Sequence, residues 1–570
     1  MPYKDLHTFI NELDSKGELK RIKAEVSAEL EITEITDRIS KAHGPALLFE
    51  KVTDSKYPVL INAMGSFHRM SLGLGVQELD ELGELIGEYL DLRNYLSINK
   101  LIKSIPRLLR LLHIFPAKSR RRGTCQQIIE RDVDLNTIPV LKCWPEDAGR
   151  FVTLPLVFTK DLKTKRQNVG MYRLQVLDKT STGMHWHKHK DGSEIYKGYQ
   201  ESKQRMPVSV ALGCDPAITY ASTAPLPPML DEMMLAGWLR KKRVKMVKCI
   251  TNDIYVPSNA EIVLEGYVDP QEDLVLEGPF GDHTGYYSLA DYYPKFHVTC
   301  ITHRRNAIYP ATVVGKPPME DCYMAKATER IFLPMLRMMI PELVDLNLPL
   351  EGVFHNCAIV SIKSNYPGAA IKTMNSIWGQ GQMMYTKLIV VVDQSVDVQN
   401  LTQVRDAVLT NVNASNRLFI VEGPLDALDH SSNLPLYGNR LGIDATRRPS
   451  KDENKDLTNT YHVLTISKSK PGQGREVLSE YMSSNPDKFV LAVDGEVDPK
   501  DLSTVMWKVF NNIDAKRDLI ILDGKIGIDA TKKWKEEGLT RDWPNDIVMS
   551  QKIKHRVDER WKNYDLDESN

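Results

Sequence analysis

At 570 residues the chain is too long for one hydrophobic core and should divide into roughly two to four domains. Its 42% hydrophobic and 26% charged residues are ordinary for a soluble globular protein, and a net charge of −1 gives no electrostatic grip on nucleic acid. Seven cysteines, scattered and never in a CxxC pair, argue against structural zinc and for a reducing compartment. Met1-Pro2-Tyr3-Lys4-Asp5 has no apolar signal core, and no run approaches the roughly 20 apolar residues of a membrane span. A cytoplasmic protein is expected.

Leu6, Phe9, Ile10 and Leu13 have helical spacing and stop at Gly17. A second helix is predicted over Leu30 to Lys41. Buried strands follow at Ala46-Leu47-Leu48-Phe49 and Val59-Leu60-Ile61, then a helix over Leu79 to Leu92. This is α/β texture. From Lys100 to Arg122 the chain is basic and ends in Arg120-Arg121-Arg122-Gly123. A solvated linker helix is expected there, with peripheral membrane contact as the alternative.

From residue 123 to 320 the texture changes to short apolar runs broken by Gly, Pro, Asn and Asp. Examples are Leu156-Val157-Phe158, Leu174-Gln175-Val176-Leu177, Val208 to Leu212, Ile262-Val263-Leu264 and His297 to Ile301. They predict a sheet or barrel domain, interrupted by a helix near Met229 to Arg243. Three polar clusters lie within it. Asn168-Val169-Gly170-Met171-Tyr172-Arg173 places an amide and a guanidinium on one strand. His185, His187 and His189 alternate, so on a strand they share a face, as a metal trio or as exposed histidines. Asp231-Glu232 opens a helix, where its dipole favours acids in any case.

The same region ends in Leu276-Glu277-Gly278-Pro279-Phe280-Gly281-Asp282-His283-Thr284-Gly285-Tyr286-Tyr287. Two carboxylates five positions apart, with Gly, Pro and Gly between, predict a tight bend and not a helix. Apolar flanks turn it inward. Both acids can then aim at one point, where like charge should push their pKa values apart and leave one protonated.

The C-terminal half repeats itself. Lys387-Leu388-Ile389-Val390-Val391-Val392-Asp393 recurs as Lys488-Phe489-Val490-Leu491-Ala492-Val493-Asp494, and Gly442-Ile443-Asp444-Ala445-Thr446 recurs as Gly527-Ile528-Asp529-Ala530-Thr531. Lys363-Ser364 with Pro367-Gly368 parallels Lys468-Ser469 with Pro471-Gly472. One α/β unit has been duplicated. Between the last shared strand and the Gly-Ile-Asp-Ala-Thr motif, the first copy carries Val421 to Arg440 and the second only Leu522 to Lys525. The second copy is therefore expected to be structural.

These motifs resemble the UbiD-type reversible decarboxylases, a family that includes 3-polyprenyl-4-hydroxybenzoate decarboxylase and the ferulic and cinnamic acid decarboxylases. The resemblance runs from Tyr3-Lys4-Asp5-Leu6 almost to the C-terminus. It is strongest at Leu30-Glu31-Ile32-Thr33-Glu34-Ile35, Cys143-Trp144-Pro145-Glu146-Asp147-Ala148, Val247-Lys248-Cys249-Ile250, Ala260 to Tyr267, and the Glu277 bend. Asp282 followed by His-Thr-Gly-Tyr-Tyr is closer to the quinone-pathway branch than to the cinnamate branch.

The resemblance implies prenylated FMN as cofactor, its phosphate held through a divalent cation, Mn²⁺ or Mg²⁺. The metal ligands fall on Asn168, His189 and Glu232, leaving His185 and His187 as bystanders. Cofactor contacts fall on Asn168, Met171, Tyr172, Arg173, Lys188, His189, Glu232 and Lys387, and a K⁺ site on Ala221, Ser222 and Ala224. The catalytic set is Arg173, Glu277 and Asp282, with Asp282 delivering the proton and Glu277 tuning it through Arg173. Asn168 and Arg173 are five apart and face opposite ways on a regular strand, so a bulge near Gly170 is expected. The long excursion of the first copy, Leu428 to Leu436, matches a substrate-covering loop. Typical members have a single C-terminal copy.

The fold expected is thus α/β and multidomain. It comprises an N-terminal α/β domain and linker (1–122), a central split β-barrel that binds the flavin (123–320), a C-terminal α/β domain (321–460), its duplicate (461–533) and a helical tail (534–570). The expected partners are an aromatic carboxylic acid, most simply 3-polyprenyl-4-hydroxybenzoate, a flavin prenyltransferase that supplies the cofactor, and further copies of the chain. A naphthoate or simple phenolic acid substrate, or a silent flavin-binding scaffold, are the alternatives.

Overall fold

Asp5 starts the chain's first helix. Its carboxylate accepts the Thr8 backbone N–H at 3.0 Å and the Thr8 hydroxyl at 2.7 Å, and the helix Leu6–Ser15 follows with Leu6, Phe9, Ile10 and Leu13 all buried. The computed structural model describes residues 3–91, 102, 105, 108–109, 111–186, 191–226, 230–412, 414, 416–447 and 458–566. They form two compact units, Met1–Thr328 with Asp546–Asn570, and Glu329–Asn545.

In the first unit, Leu19–Val26, Ala46–Val52 and Val59–Ile61 make a sheet whose fourth strand, Tyr309–Pro310, arrives after the central region. That late strand runs parallel to Val59–Ile61 and ties the two regions together. Their apolar residues merge accordingly: Ile22 and Phe49 share one core with Leu264 and Phe296. The boundary expected at residue 122 therefore lies inside this unit. Residues 100, 101, 103, 104, 106, 107 and 110 of the basic linker lie outside the described residues. Ile102, Ile105 and Leu109 are exposed, and where a linker helix was expected the stretch ends in a short 3₁₀ turn, Leu111–His113, and a strand, Ala117–Ser119, paired with Lys245–Lys248.

The central region is a nine-stranded sheet, every pairing antiparallel, whose strand path does not close on itself. This is the split-barrel form expected. All five apolar runs picked from the sequence lie on its strands. The predicted helix is Glu232–Arg240, capped by the Asp231 side chain. Among the described residues, no helix is long and apolar enough to cross a membrane, and all seven cysteines are buried. The tail helix Gln551–Arg560 folds back onto the N-terminal region, where Arg556, Arg560 and Tyr564 converge on the buried Glu31.

The second unit shows the duplication in its topology. Cys357–Ile362, Leu388–Asp393 and Tyr437–Asp444 run parallel, with Leu418–Pro424 antiparallel at the edge. Thr458–Ile466, Asp487–Asp494, Lys525–Asp529 and Leu519–Leu522 repeat that order and those directions. The registers agree as well: Leu388 pairs with Leu441 in one sheet, and Phe489 with Ile526 in the other. The second copy's short connection is an Asp523-Gly524 hairpin with both residues at positive φ.

Candidate active site

The bend forms as the residues dictate. The strand Val275–Glu277 ends on the first acid and Phe280–Gly281 stops one residue before the second, with Gly278 between them at φ +89°. Cys143 to Ala148 holds the bend from outside. The Asp147 carboxylate accepts the backbone N–H of Gly281 at 2.7 Å, of Trp144 at 2.8 Å and of Cys143 at 3.0 Å, and Ala148 N–H donates to Pro279 O at 2.9 Å. Trp144 fills the space beside Gly281, where a Cβ would come within 2.3 Å of the indole. The Gln175 side chain takes the Gly278 N–H at 2.8 Å.

Arg173 sits between the two acids. Its Nε donates to Glu277 Oε1 at 2.8 Å and its Nη2 to Glu277 Oε2 at 3.1 Å, while Nη1 donates to Asp282 Oδ2. Nη2 also donates to Ser288 Oγ at 3.2 Å, and the Phe280 ring lies 4.7 Å from the guanidinium carbon. Each acid also has its own histidine. His185 Nδ1 bonds Glu277 Oε2 at 2.9 Å, and His283 bonds Asp282 Oδ1 through its backbone N–H at 2.8 Å and its Nδ1 at 2.9 Å. The His185 ring lies against Tyr293, with centroids 4.3 Å apart.

Two expectations are corrected here. Neither acid on the bend is held protonated. Burial alone would raise Glu277, but the hydrogen bond from His185 and the charge of Arg173 outweigh it and bring the pKa to about 2. Burial is likewise outweighed at Asp282, where His283 and Arg173 hold the carboxyl well below the usual range. The shared cation decides the outcome, because attraction from Arg173 exceeds repulsion between the acids. Near by, Asp321 at the start of the helix Glu320–Met339 does shift toward neutrality. Burial lifts it to about 6, with His283 opposing and Asp282 adding to the rise.

His185 is the second correction. It is no bystander, since it is buried against Glu277. The strand Ser181–Met184 ends just before it. His187, Lys188 and His189 lie outside the described residues. The sequence signal for His185 was present in the alternating histidines. Spacing alone could not separate one from the next.

The expected bulge at Gly170 is absent. Gln167–Met171 pairs without a break from Lys160↔Gln167 to Leu156↔Met171. Arg173 instead turns toward the acids because the chain leaves that strand at Tyr172 and enters another, Leu174–Val176, with different partners. A change of strand replaces the bulge.

Asn168 and Glu232 come from separate elements, yet their chain neighbours Val169 and Met233 share one buried cluster with Ala221. The charge of Arg166 acts on Asp231, which also brings the helix start beside the Asn168 strand. Amide and carboxylate oxygens are donors for a hard cation, so the chemistry of Asn168 and Glu232 fits a divalent ion of that kind. Among the described residues alone, no group of three His, Cys, Asp or Glu could hold a metal. Met171 packs against the same cluster, Tyr172 is buried with its hydroxyl accepting Gly192 N–H at 3.4 Å, and Ser222 is buried. In the second unit, Lys387 is buried. Its Nζ donates to Asp429 Oδ2 and Ser431 Oγ at 2.7 Å each and to Asn511 O at 2.8 Å, which engages all three ammonium hydrogens.

The chain matches three models of the 3-octaprenyl-4-hydroxybenzoate carboxy-lyase (UbiD) family. They are the N-terminal domain over residues 10–87, the Rift-related domain over 117–317, and the C-terminal domain over 322–445 and 457–535. An uncharacterized protein of Archaeoglobus fulgidus is 50% identical over 450 residues, 79% of this chain and 92% of its own. One from Aquifex aeolicus is 39% identical over 561 residues, 98% of each chain. Among solved structures, the vanillic acid decarboxylase of Sedimentibacter hydroxybenzoicus in closed form is similar with a TM-score of 0.69 and 26% identity, covering 85% of this chain and 100% of that one. The UbiD-class enzyme HmfF of Pelotomaculum thermopropionicum in complex with FMN is similar with a TM-score of 0.69 and 25% identity, covering 84% and 100%.

Proposed function

Because the chain belongs to the UbiD family of carboxy-lyases, we propose that it is a prenylated-FMN-dependent, non-oxidative decarboxylase of a hydroxylated aromatic acid, with 3-polyprenyl-4-hydroxybenzoate of quinone biosynthesis as its substrate. The observation that carries this reading is the buried Glu277–Arg173–Asp282 array, in which one cation keeps two acids ionised at a single point.

Asn168 and Glu232, with His189, would hold the cofactor phosphate through Mn²⁺ or Mg²⁺. Lys188, Met171 and Tyr172 would flank it, and K⁺ would sit on the backbone of Ala221, Ser222 and Ala224. Lys387 reaches a phosphate only by giving up one of its three present acceptors. When bound, prenylated FMN supplies the electron sink for the charge left by departing CO₂.

The protein's part is orientation and proton handling. The remaining Nη1 hydrogen of Arg173 is the donor available to a substrate carboxylate. Asp282, ionised at rest, must gain a proton before it can pass one to the ring carbon that loses CO₂. His283 Nδ1, on Asp282 Oδ1, is the neighbour through which that proton can arrive. Glu277, tied to Arg173 and His185, keeps the guanidinium in place.

The test is to purify the chain after co-expression with a flavin prenyltransferase, read cofactor mass and absorbance, and follow CO₂ release from 3-polyprenyl-4-hydroxybenzoate. Cofactor-loaded protein that releases CO₂ from a naphthoate or a simple phenolic acid instead would overturn the substrate. Loaded protein that decarboxylates no aromatic acid would overturn the reading entirely.

A further inference from the structure

The second copy repeats the first copy's fold without its long excursion, and the two copies meet in a particular way. Equivalent residues lie in the same core: Leu388 with Phe489, Val404 with Val505, and Ile443 with Ile528. Each copy therefore presents the same face to the other. Polar contacts are exchanged in kind. Lys387 donates to Asn511 O of the second copy at 2.8 Å. Its counterpart Lys488 donates back to Leu409 O of the first copy at 2.6 Å and reaches the carbonyl of Thr410, the counterpart of Asn511, at 3.5 Å. Contact from i to j matched by contact from i′ to j′ is the signature of a two-fold, self-complementary interface.

The reason lies in sheet width. The first copy's sheet has five strands, counting Leu343–Asn347 beside Cys357–Ile362, and the second's has four. At about 4.8 Å per strand they are roughly 24 and 19 Å across, about twice the ~10 Å breadth of one helix or more. Each copy carries one helix for its inner face, Leu401–Asn411 in the first and Leu502–Asn512 in the second. Each helix serves both copies. Leu401–Asn411 lies against its own strand Leu388–Asp393 and the other copy's Thr458–Ile466, and Leu502–Asn512 lies against its own Asp487–Asp494 and the first copy's turn Leu350–Gly352. Neither copy can close its inner face alone.

We propose that this face is a self-recognition surface whose partner is a second copy of the same unit, and that the duplication supplies that partner within one chain. The pair is then one cooperative body with a pseudo-two-fold axis. It also anchors the excursion of the first copy, since Ser431 Oγ donates to Ile513 O at 2.9 Å and Arg517 Nη1 to Ser431 O at 3.0 Å.

The test is hydrogen exchange on the full-length protein carrying Lys488→Met, which removes one half of the reciprocal contact. Amides of Leu401–Asn411 should exchange about ten-fold faster, the worth of one charged hydrogen bond. Those of Leu502–Asn512 and Leu388–Asp393 should accelerate by the same factor, because they open as one. Val404→Ala, a smaller change in the shared core, is read in the same way. Acceleration confined to one copy, or none in either, overturns the proposal.

Discussion

Asp282→Asn tests the centre of the site most directly. The Asp282 carboxylate accepts Arg173 Nη1 on one oxygen and two donors from His283 on the other. An amide offers one acceptor oxygen, so its NH₂ group must face either the guanidinium or the histidine donors. At least one charge-assisted hydrogen bond is lost, about 1.5–3 kcal/mol, while Arg173 keeps its two bonds to Glu277. The first unit should stay folded and cofactor binding should survive, because Asn168 and Glu232 are untouched. Turnover should fall by at least ~10²-fold, the usual worth of a positioned acid. The assay is CO₂ release per cofactor-loaded site, with deuterium incorporation at the vacated ring carbon as a second reading. Near-normal rates on both would show that the proton comes from elsewhere.

Glu277 is ionised with a folded pKa of about 2, below the ~4.3 of an unfolded chain. Its contribution to stability is therefore complete above about pH 4.3 and lost as pH falls toward 2; melting temperature against pH should show this fall, and Glu277→Gln should flatten it. Glu232→Ala should lower bound metal and bound flavin together, as measured by elemental analysis and absorbance; retention of both would remove Glu232 from the cation site. His185→Ala should leave metal content unchanged but slow turnover, because His185 acts on Glu277; loss of metal instead would return it to the ligand set. Gly281→Ala should cost about 1–3 kcal/mol in denaturant unfolding and disturb Asp282, since the added Cβ meets a Trp144 indole fixed by its Nε1–H to Val314 O bond at 2.9 Å.

Much of the fold could be read in advance because local pattern and tertiary role agree. The helix of Leu6, Phe9, Ile10 and Leu13 buries the residues its period singles out, and the continuous apolar runs around Val210 and Leu264 are strands buried almost throughout. The duplication was legible because it preserved a polar signature, Gly-Ile-Asp-Ala-Thr, beside its strands. The bend was legible because Gly278 and Pro279 leave few alternatives. Its electrostatics were not, since they depend on Arg173, 104 residues before Glu277. The part played by Asp147 was hidden for the same reason: it closes over Gly281 across 134 residues. Asn168 and Arg173 face opposite ways on a regular strand, and a bulge within one strand was the expected remedy; the strand is in fact unbroken and ends before Arg173. The remedy was a change of strand, and pairing partners are not written in a single run of sequence.

Glu31 has a consequence for how the protein is made. Its carboxylate is fully buried and satisfied by Arg560, 529 residues away, by Arg556 at 3.1 Å and by Tyr564 at 2.6 Å. At the ~5–20 residues per second of synthesis, the helix carrying Glu31 leaves the ribosome roughly half a minute to two minutes before its partners do. During that interval an acid destined for the interior has no cations beside it, and the apolar surface under the tail is open to water. The first unit therefore cannot close while it is being translated, and the whole second unit is synthesised before the first is finished. Truncation before Arg556 should then injure the N-terminal sheet, at the opposite end of the sequence from the cut.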